Sequence, residues 1–374
     1  MMTERFDVII VGASLAGLSA SIAAADNGLT VLCIDKKLKI GENISCAEGV
    51  AGSLLHKVPF KIPKKALSWK VNGILFDIDG IKIERRGDYW GGYTIDRSYL
   101  ENWLARLARK KGVHLSMETE LVGLETISGM KVVLVNINGE LLRFTSDLII
   151  AADGAQSKVA NILGVGKNKV HGYVKSWEYA GLENRAQDLE QIFYGPFAPV
   201  GYGYIFPKSS TRANIGIGTP FQNADLGKLF EMFTSIESVS EQMKFASKTK
   251  EKSGIAIIKM DIPFEYNGVL FAGDAACVNL KPFVEGIIPS LCSGWLAGES
   301  IRKYSEGRYT AAFAHLFKKE KSESEKFTEI LLKEKKHARE NSYLLSAGIA
   351  SLAFPLVRYS HFRRKSVAEL QKLL

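Results

Sequence analysis

A chain of 374 residues can bury one large core or two moderate ones, and its 46% apolar and 24% charged content is ordinary globular usage, which excludes a disulfide-stapled miniprotein or a disordered tract. The formal charge of +9 raises the local concentration of anions such as nucleotides or lipid phosphates, but no aromatic-basic interleaving accompanies it, so nucleic acid is not an expected partner. The four cysteines, Cys33, Cys46, Cys277 and Cys292, lie too far apart for a disulfide framework, which points to a reducing cytoplasm.

Phe6 to Val11 reads as a buried strand, Ala16 to Asn27 as a helix and Thr30 to Asp35 as a second buried strand, because two short β-rich runs flank an alanine-rich segment. Asp7 before the apolar run, and Gly12, Ser14 and Gly17 inside it, argue against a signal peptide. From Ser53 to Tyr93 short alternating runs, Lys70 to Asp77 and Ile81 to Arg86, predict antiparallel strands. Arg97 to Lys111 carries Leu100, Leu104 and Leu107 at helical spacing. Val113 to Met117, Lys131 to Ile137 and Leu141 to Phe144 read as strands, and Asp147 to Ala152 as a further core strand.

Residues 168–262 show glycine-punctuated strands with a helix near Asp225 to Ser235. Gly268 to Ala272 reads as a buried strand, Gly286 to Tyr304 as a helix, and Thr310 to Leu374 as helical and basic. The uncharged run Asn341 to Val357 is shorter than the roughly 20 residues that span a bilayer, and Pro355 interrupts it. These elements predict an α/β fold: a Rossmann-like dinucleotide-binding domain, an antiparallel-sheet substrate domain and a helical C-terminal segment. The first domain is discontinuous, over 1–52, 94–167 and 256–305; the second takes 53–93 and 168–255, and the segment 306–374.

Gly12-Ala13-Ser14-Leu15-Ala16-Gly17 is a variant of the dinucleotide fingerprint, set between strand and helix as its mechanism requires. Gly12 permits the tight turn, Gly17 allows close packing of helix on strand, and the middle position lets a pyrophosphate approach the helix N-terminus. Ser14 at that middle position is a departure: it either narrows the phosphate site or donates its hydroxyl to the phosphate. Asp35 closes the second strand, where a carboxylate can bind ribose hydroxyls.

Three further motifs follow: Ile95-Asp96-Arg97, Asp147 to Gly154 with Ser157 and Leu163-Gly164, and Gly268 to Ala276. Together and in this order they resemble the aromatic hydroxylase and geranylgeranyl reductase superfamily of FAD enzymes. The resemblance implies FAD as cofactor, with Asp274, beside Gly273, bonded to a ribityl hydroxyl, Arg97 near the cofactor, and Asp153 and Gly154 shaping a nearby turn. Leu15, Ala16, Lys36, Ala47, Val122 and Ile287 complete the cofactor contacts it implies. The helix beginning near Gly286 would aim its N-terminal amides at the flavin, where charge develops on reduction. The preceding loop, Pro282 to Ile287, is one residue shorter than the superfamily's pattern.

Within the superfamily the chain is most similar to archaeal geranylgeranyl reductases. Tyr202-Gly203-Tyr204-Ile205-Phe206-Pro207-Lys208 resembles their Y-x-W-x-F-P motif with tyrosine in place of tryptophan, and Ala213 to Gly218 and Cys46-Ala47-Glu48-Gly49 match further motifs. The resemblance implies that Tyr202, Tyr204, Phe206 and Pro207 form a wall for an isoprenoid chain. Cys46 is either a group that relays a proton to an alkene or a small buried filler. The expected function is an FAD-dependent reductase saturating double bonds of a polyprenyl lipid. The rivals are a flavin monooxygenase of an apolar substrate and a redox-neutral isoprenoid cyclase.

No second dinucleotide fingerprint points to the electron donor, so reduced ferredoxin, deazaflavin and NADPH all stay open. The histidines show no metal spacing, and no metal is expected. Tyr343, Leu344, Leu345, Ile349, Leu352, Phe354 and Leu356, followed by Arg358, Arg363, Arg364 and Lys365, suit either an anionic membrane surface or a helix that closes the core. The first alternative predicts a cytoplasmic protein peripheral to the inner face of the membrane.

Overall fold

The structure, a computed structural model, describes residues 4–42, 44–183 and 186–336. The apolar and basic run from 341 to 365 lies outside the described residues.

Five parallel strands form the centre of the first sheet, in the order Val269–Phe271, Glu140–Ala151, Glu4–Val11, Val31–Ile34 and His114–Ser116. Val8, Ile9, Ile10, Leu32, Ile149 and Ile150 are buried there, the continuous apolar runs of strands covered on both faces. Helix Leu15–Asp26 packs against helix Ile287–Ile301 through glycine. A Cβ on Gly294 would lie 2.0 Å from the Ala16 carbonyl oxygen, and one on Gly298 2.3 Å from that of Ala20. No larger residue allows this approach, which sets two helix N-termini side by side.

The structure differs from the sequence reading in three places. Leu141 to Phe144 and Asp147 to Ala152 are one strand, Glu140–Ala151, whose first half pairs antiparallel with Met130–Ile137 and whose second half pairs parallel with Glu4–Val11. The polar triplet Thr145-Ser146-Asp147 resembles a break. Its polarity is satisfied within the strand, since the buried Ser146 hydroxyl donates to the Leu148 carbonyl (2.8 Å) and Asp147 accepts from Arg5 at the surface. Thr119–Ile127 adds a strand whose acidic and glycine-bearing sequence shows no clean alternation. Lys70 to Asp77 divides at Asn72: Leu67–Val71 joins a three-stranded sheet, whereas Gly73–Ile78 enters the second large sheet. There the Asn72 amide donates to the Asp188 carbonyl (2.7 Å), and a Cβ on Gly73 would meet the Arg85 carbonyl oxygen at 2.1 Å.

The second sheet has seven strands, in the order Ser247–Asp261, Lys167–Ala180, Arg212–Thr219, Tyr202–Pro207, Leu189–Tyr194, Gly73–Ile78 and Ile81–Arg86. Neighbours are antiparallel except Leu189–Tyr194 with Gly73–Ile78. Strand Tyr202–Pro207 obeys the two-residue period of a pleat: Ile205 packs toward Phe230 and Phe233 of helix Leu226–Thr234, while Tyr204 and Phe206 face the other way. Leu54, Ile62 and Ala66, between strands Gly49–Ala51 and Leu67–Val71 of the three-stranded sheet, are buried in the core of the first large sheet. Among the described residues no helix is long and apolar enough to cross a membrane.

Candidate active site

A cavity of about 330 Å³ opens between the two large sheets. Ser14, Leu15, Ala16, Arg97, Gly154, Gly273, Asp274, Gly286 and Ile287 bound it on the first side, and Ile74, Ile192, Tyr202, Tyr204 and Phe206 on the second. Cys46 and Ala47 sit in the loop between. Gly12, Gly17, Asp35, Lys36, Val122, Asp153 and Pro207 are not part of its wall. Gly12, at φ +104°, and Gly17 form the turn beneath it, where a Cβ on Gly17 would lie 1.7 Å from the Gly12 carbonyl oxygen.

Several helix starts away from this place are closed by a side chain, although that of the one-turn helix Glu237–Ser240 is not. Helices Arg97–Lys110, Lys158–Ile162 and Leu226–Thr234 close their first turns with the side chains of Asp96, Ser157 and Asp225. Helix Arg308–Leu316 closes its own with the Glu265 carboxylate, which accepts from the Gly307 and Thr310 amides. Helices Leu15–Asp26 and Ile287–Ile301, which both start on the cavity wall, have no side-chain cap. Their free N–H groups and positive dipole ends suit an anion or a ring that gains negative charge.

Ser14 occupies the cap position, yet its hydroxyl donates to Glu101 Oε1 (2.7 Å). Glu101 is fully buried, ion-paired to Arg97 one helical turn away, and went unnoticed in the sequence because it lies on an ordinary-looking helix. Arg97 Nε is shut off from solvent without a partner, as is Glu101 Oε2. A cationic donor with an unused N–H on the cavity wall fits the pyrophosphate of a dinucleotide. Asp35 secures the phosphate turn, accepting from the Ala13 amide (2.7 Å) and the Lys37 amide (2.9 Å), which leaves each oxygen a second lone pair for a ribose hydroxyl. Lys36 is exposed, and Val122 lies in strand Thr119–Ile127.

Asp153 accepts from the Val159 amide (3.0 Å), and burial raises its carboxyl above the usual range despite this bond. Gly154, at φ +82°, has open space where a side chain would stand. Burial likewise raises Asp274, against the opposing effect of the Asn279 side-chain amide, Lys281 and Arg97. In the short loop before Gly286, Val284 adopts φ +56°, which crowds a β-branched side chain and marks a constrained wall.

The loop Cys46–Gly49 rests on charges that sequence reasoning did not single out. Glu48 has φ +71° and is buried; its Oε1 accepts from the Arg97 amide, and its Oε2 from Lys208 (2.7 Å), Lys252 (3.0 Å) and Asn214 (2.6 Å). Burial alone would raise this carboxyl, but Lys252 and Lys208 more than offset it and bring it to about 2. Lys208 and Asn214 belong to the motifs named above, whereas nothing local marks Lys252. Cys46 is half-buried on the wall, and its sulfur accepts from the Glu48 amide (3.3 Å).

Two further glutamates reach the same wall: Glu285, in the loop Pro282 to Ile287 named above, and Glu190, which nothing local marks. Burial pushes Glu190 up to about 8, with Glu285 adding to the rise. Burial pushes Glu285 up to about 7, although it accepts from the Ala51 amide (3.2 Å). Tyr202 donates its hydroxyl to the Phe283 carbonyl (2.9 Å) and so spans the cavity from sheet to loop.

Comparison with known proteins places the chain among flavoenzymes of one family. The profile described as pyridine nucleotide-disulphide oxidoreductase matches residues 6–205, and that described as geranylgeranyl reductase catalytic domain matches 176–253. A digeranylgeranylglycerophospholipid reductase of Methanocaldococcus jannaschii is 31% identical, over 81% of this chain and 78% of that protein. The crystal structure of a geranylgeranyl bacteriochlorophyll reductase-like protein from Thermoplasma acidophilum superposes with a TM-score of 0.78 at 22% identity, covering 100% of both chains. A halogenase solved in complex with FAD superposes with a TM-score of 0.69 at 13% identity, covering 87% of this chain and 76% of its own. The last two likenesses concern the fold.

Proposed function

The chain belongs to the geranylgeranyl reductase family of FAD-dependent oxidoreductases, and from that premise we propose that it saturates carbon-carbon double bonds of a polyprenyl lipid. The observation that carries this reading is the continuity of one cavity from the uncapped helix starts, Arg97 and Asp274 to the aromatic strand Tyr202–Pro207. Arg97 and the amides of Leu15 and Ala16 would hold the pyrophosphate, Asp35 the ribose, Asp274 the ribityl chain, and the amides near Gly286 the ring edge. FAD held there supplies a hydride equivalent.

The remaining work belongs to the chain's own side chains. Tyr202, Tyr204 and Phe206, with Ile74 and Ile192, offer an apolar surface that orients an isoprenoid chain and excludes water. An isolated alkene has no neighbouring group to hold negative charge, so a proton from a side chain or a water must be delivered at a well-placed position. Cys46 lines the same wall and positions the loop. The relative's name makes a digeranylgeranyl glycerophospholipid the first substrate to try, and the surface of an anionic membrane is where such a lipid would be met. Reduced ferredoxin, reduced deazaflavin and NADPH are the donors to compare.

The test is anaerobic incubation of FAD-loaded, chemically reduced protein with that lipid, followed by product mass. Gain of two hydrogens per bond supports the reading. Oxygen-dependent NADPH oxidation with oxygen added to the substrate would replace it with a monooxygenase, and an isomer of unchanged mass would replace it with a cyclase.

A further inference from the structure

We infer that Glu190 is the acid whose carboxyl proton goes to the alkene, an inference that rests on the reductase reading above. Glu190 lies on strand Leu189–Tyr194, and its side chain lines the cavity. Its carboxyl is pressed against the turn after Cys46: a Cβ built on Gly49 would lie 2.5 Å from Glu190 Oε1 and 2.7 Å from the Phe206 ring. Oε1 is cut off from solvent and has no hydrogen-bond partner. Its strand partner is Ile74, and Ile192 and Tyr202 share the wall with it. An ionised carboxylate with one oxygen shut off from water and unpartnered in such surroundings is disfavoured, so the group holds its proton. The rise to about 8 agrees with that geometry.

The other ionisable groups facing this space, one thiol excepted, are less suited to give a proton. From the loop, Glu48 is ionised by Lys208 and Lys252. Cys46, beside it, accepts from the Glu48 amide and keeps its S–H, so the thiol is the one rival donor that the comparison of variants must separate. From the adjacent strand, Tyr202 commits its hydroxyl to the Phe283 carbonyl, and burial pushes both Tyr202 and Tyr204 well above their usual range. From the loop before helix Ile287–Ile301, Glu285 is tied to the Ala51 amide. Asp274 accepts from Asn279 on the opposite side. Glu285 acts on Glu190 as a like charge whenever it ionises, which favours a retained proton on Glu190.

The step balances with reduced flavin as the reductant. One alkene carbon receives the hydride equivalent and forms a C–H bond as the π bond breaks. The π electrons form the second C–H bond with the Glu190 proton, leaving Glu190 as a carboxylate. The flavin loses two electrons, the alkene gains them, and water reprotonates Glu190 before the next turnover.

The experiment has one arm that needs no turnover. Infrared difference titration of the FAD-loaded protein is expected to show a neutral carboxyl band that disappears as pH rises through about 8, is missing in Glu190→Gln, and shifts its midpoint downward in Glu285→Gln. In single-turnover reduction of the geranylgeranyl lipid, Glu190→Gln with full FAD content should be slower by at least ~100-fold. Equal rates for wild type and Glu190→Gln, or a titration identical in both, would overturn the inference while leaving the reductase reading in place. A wild-type protein that yields no saturated lipid with any donor would instead overturn the reading, and the inference with it.

Discussion

Glu48 and Glu190 meet at the same turn, one through its own backbone and the other by pressing on Gly49, yet they hold opposite charge states. Glu48 is buried, and Glu190 is half-buried with Oε1 shut off from water. Glu48 has two ammonium groups and an amide on one oxygen and a backbone N–H on the other; Glu190 has an unpartnered oxygen, apolar neighbours and another carboxyl. Burial therefore does not decide ionisation by itself. Partners decide it, and the result is a rigid anion that anchors the Cys46 loop beside a neutral acid that faces the cavity.

The largest expected effect comes from unbalancing the anchored side. Lys252→Met leaves a buried carboxylate short of a partner and should lower stability by about 3–5 kcal/mol in denaturant unfolding, with Glu48→Gln in the same chain recovering part of the loss. Because Glu48 is held at about 2, its contribution is present above the usual glutamate value and is lost as pH falls toward about 2. A wild-type stability curve with no more acid sensitivity than that of Glu48→Gln would erase the contrast.

The neutral side should respond with the opposite sign and a smaller size. Glu190 is raised to about 8, so the stability linked to its proton is present below the usual glutamate value and is lost as pH rises through about 8. Glu190→Gln should therefore be more stable than wild type in alkali, by on the order of 1–3 kcal/mol, with the difference closing in acid. Melting temperatures of the two proteins across that range check this.

Across the cavity, Asp274→Ala should raise the FAD dissociation constant by roughly fivefold or more, the worth of about one buried hydrogen bond, as measured by flavin fluorescence. The smallest effect is expected at Cys46. Cys46→Ser replaces a weak sulfur acceptor by a hydroxyl at the same place, so stability should change by less than ~1 kcal/mol and FAD affinity hardly at all, with single-turnover reduction slowed severalfold. A loss at Cys46 that exceeds the loss at Glu190 would transfer the acid role to the thiol.

The parts of the molecule that the sequence determined by itself are those whose physics is local. The Gly12 to Gly17 turn must join strand to helix because only glycine tolerates φ +104° at position 12 and the contact at position 17, and both can be read from six letters. The alternation of Tyr202, Tyr204 and Phe206 sets one face of a strand, so an aromatic wall was legible there as well. What the tertiary structure decided is every property that depends on a distant partner. The polar triplet at 145–147 continues a strand because of Arg5 and the pairing with Glu4–Val11. Ser14 leaves its helix uncapped because Glu101, 87 residues away, takes its hydroxyl. Glu48 and Glu190 carry the same letter, and their opposite charge states follow from Lys208 and Lys252 on one side and Ile74, Phe206 and Glu285 on the other, because the free energy of a buried charge is set by what surrounds it in space.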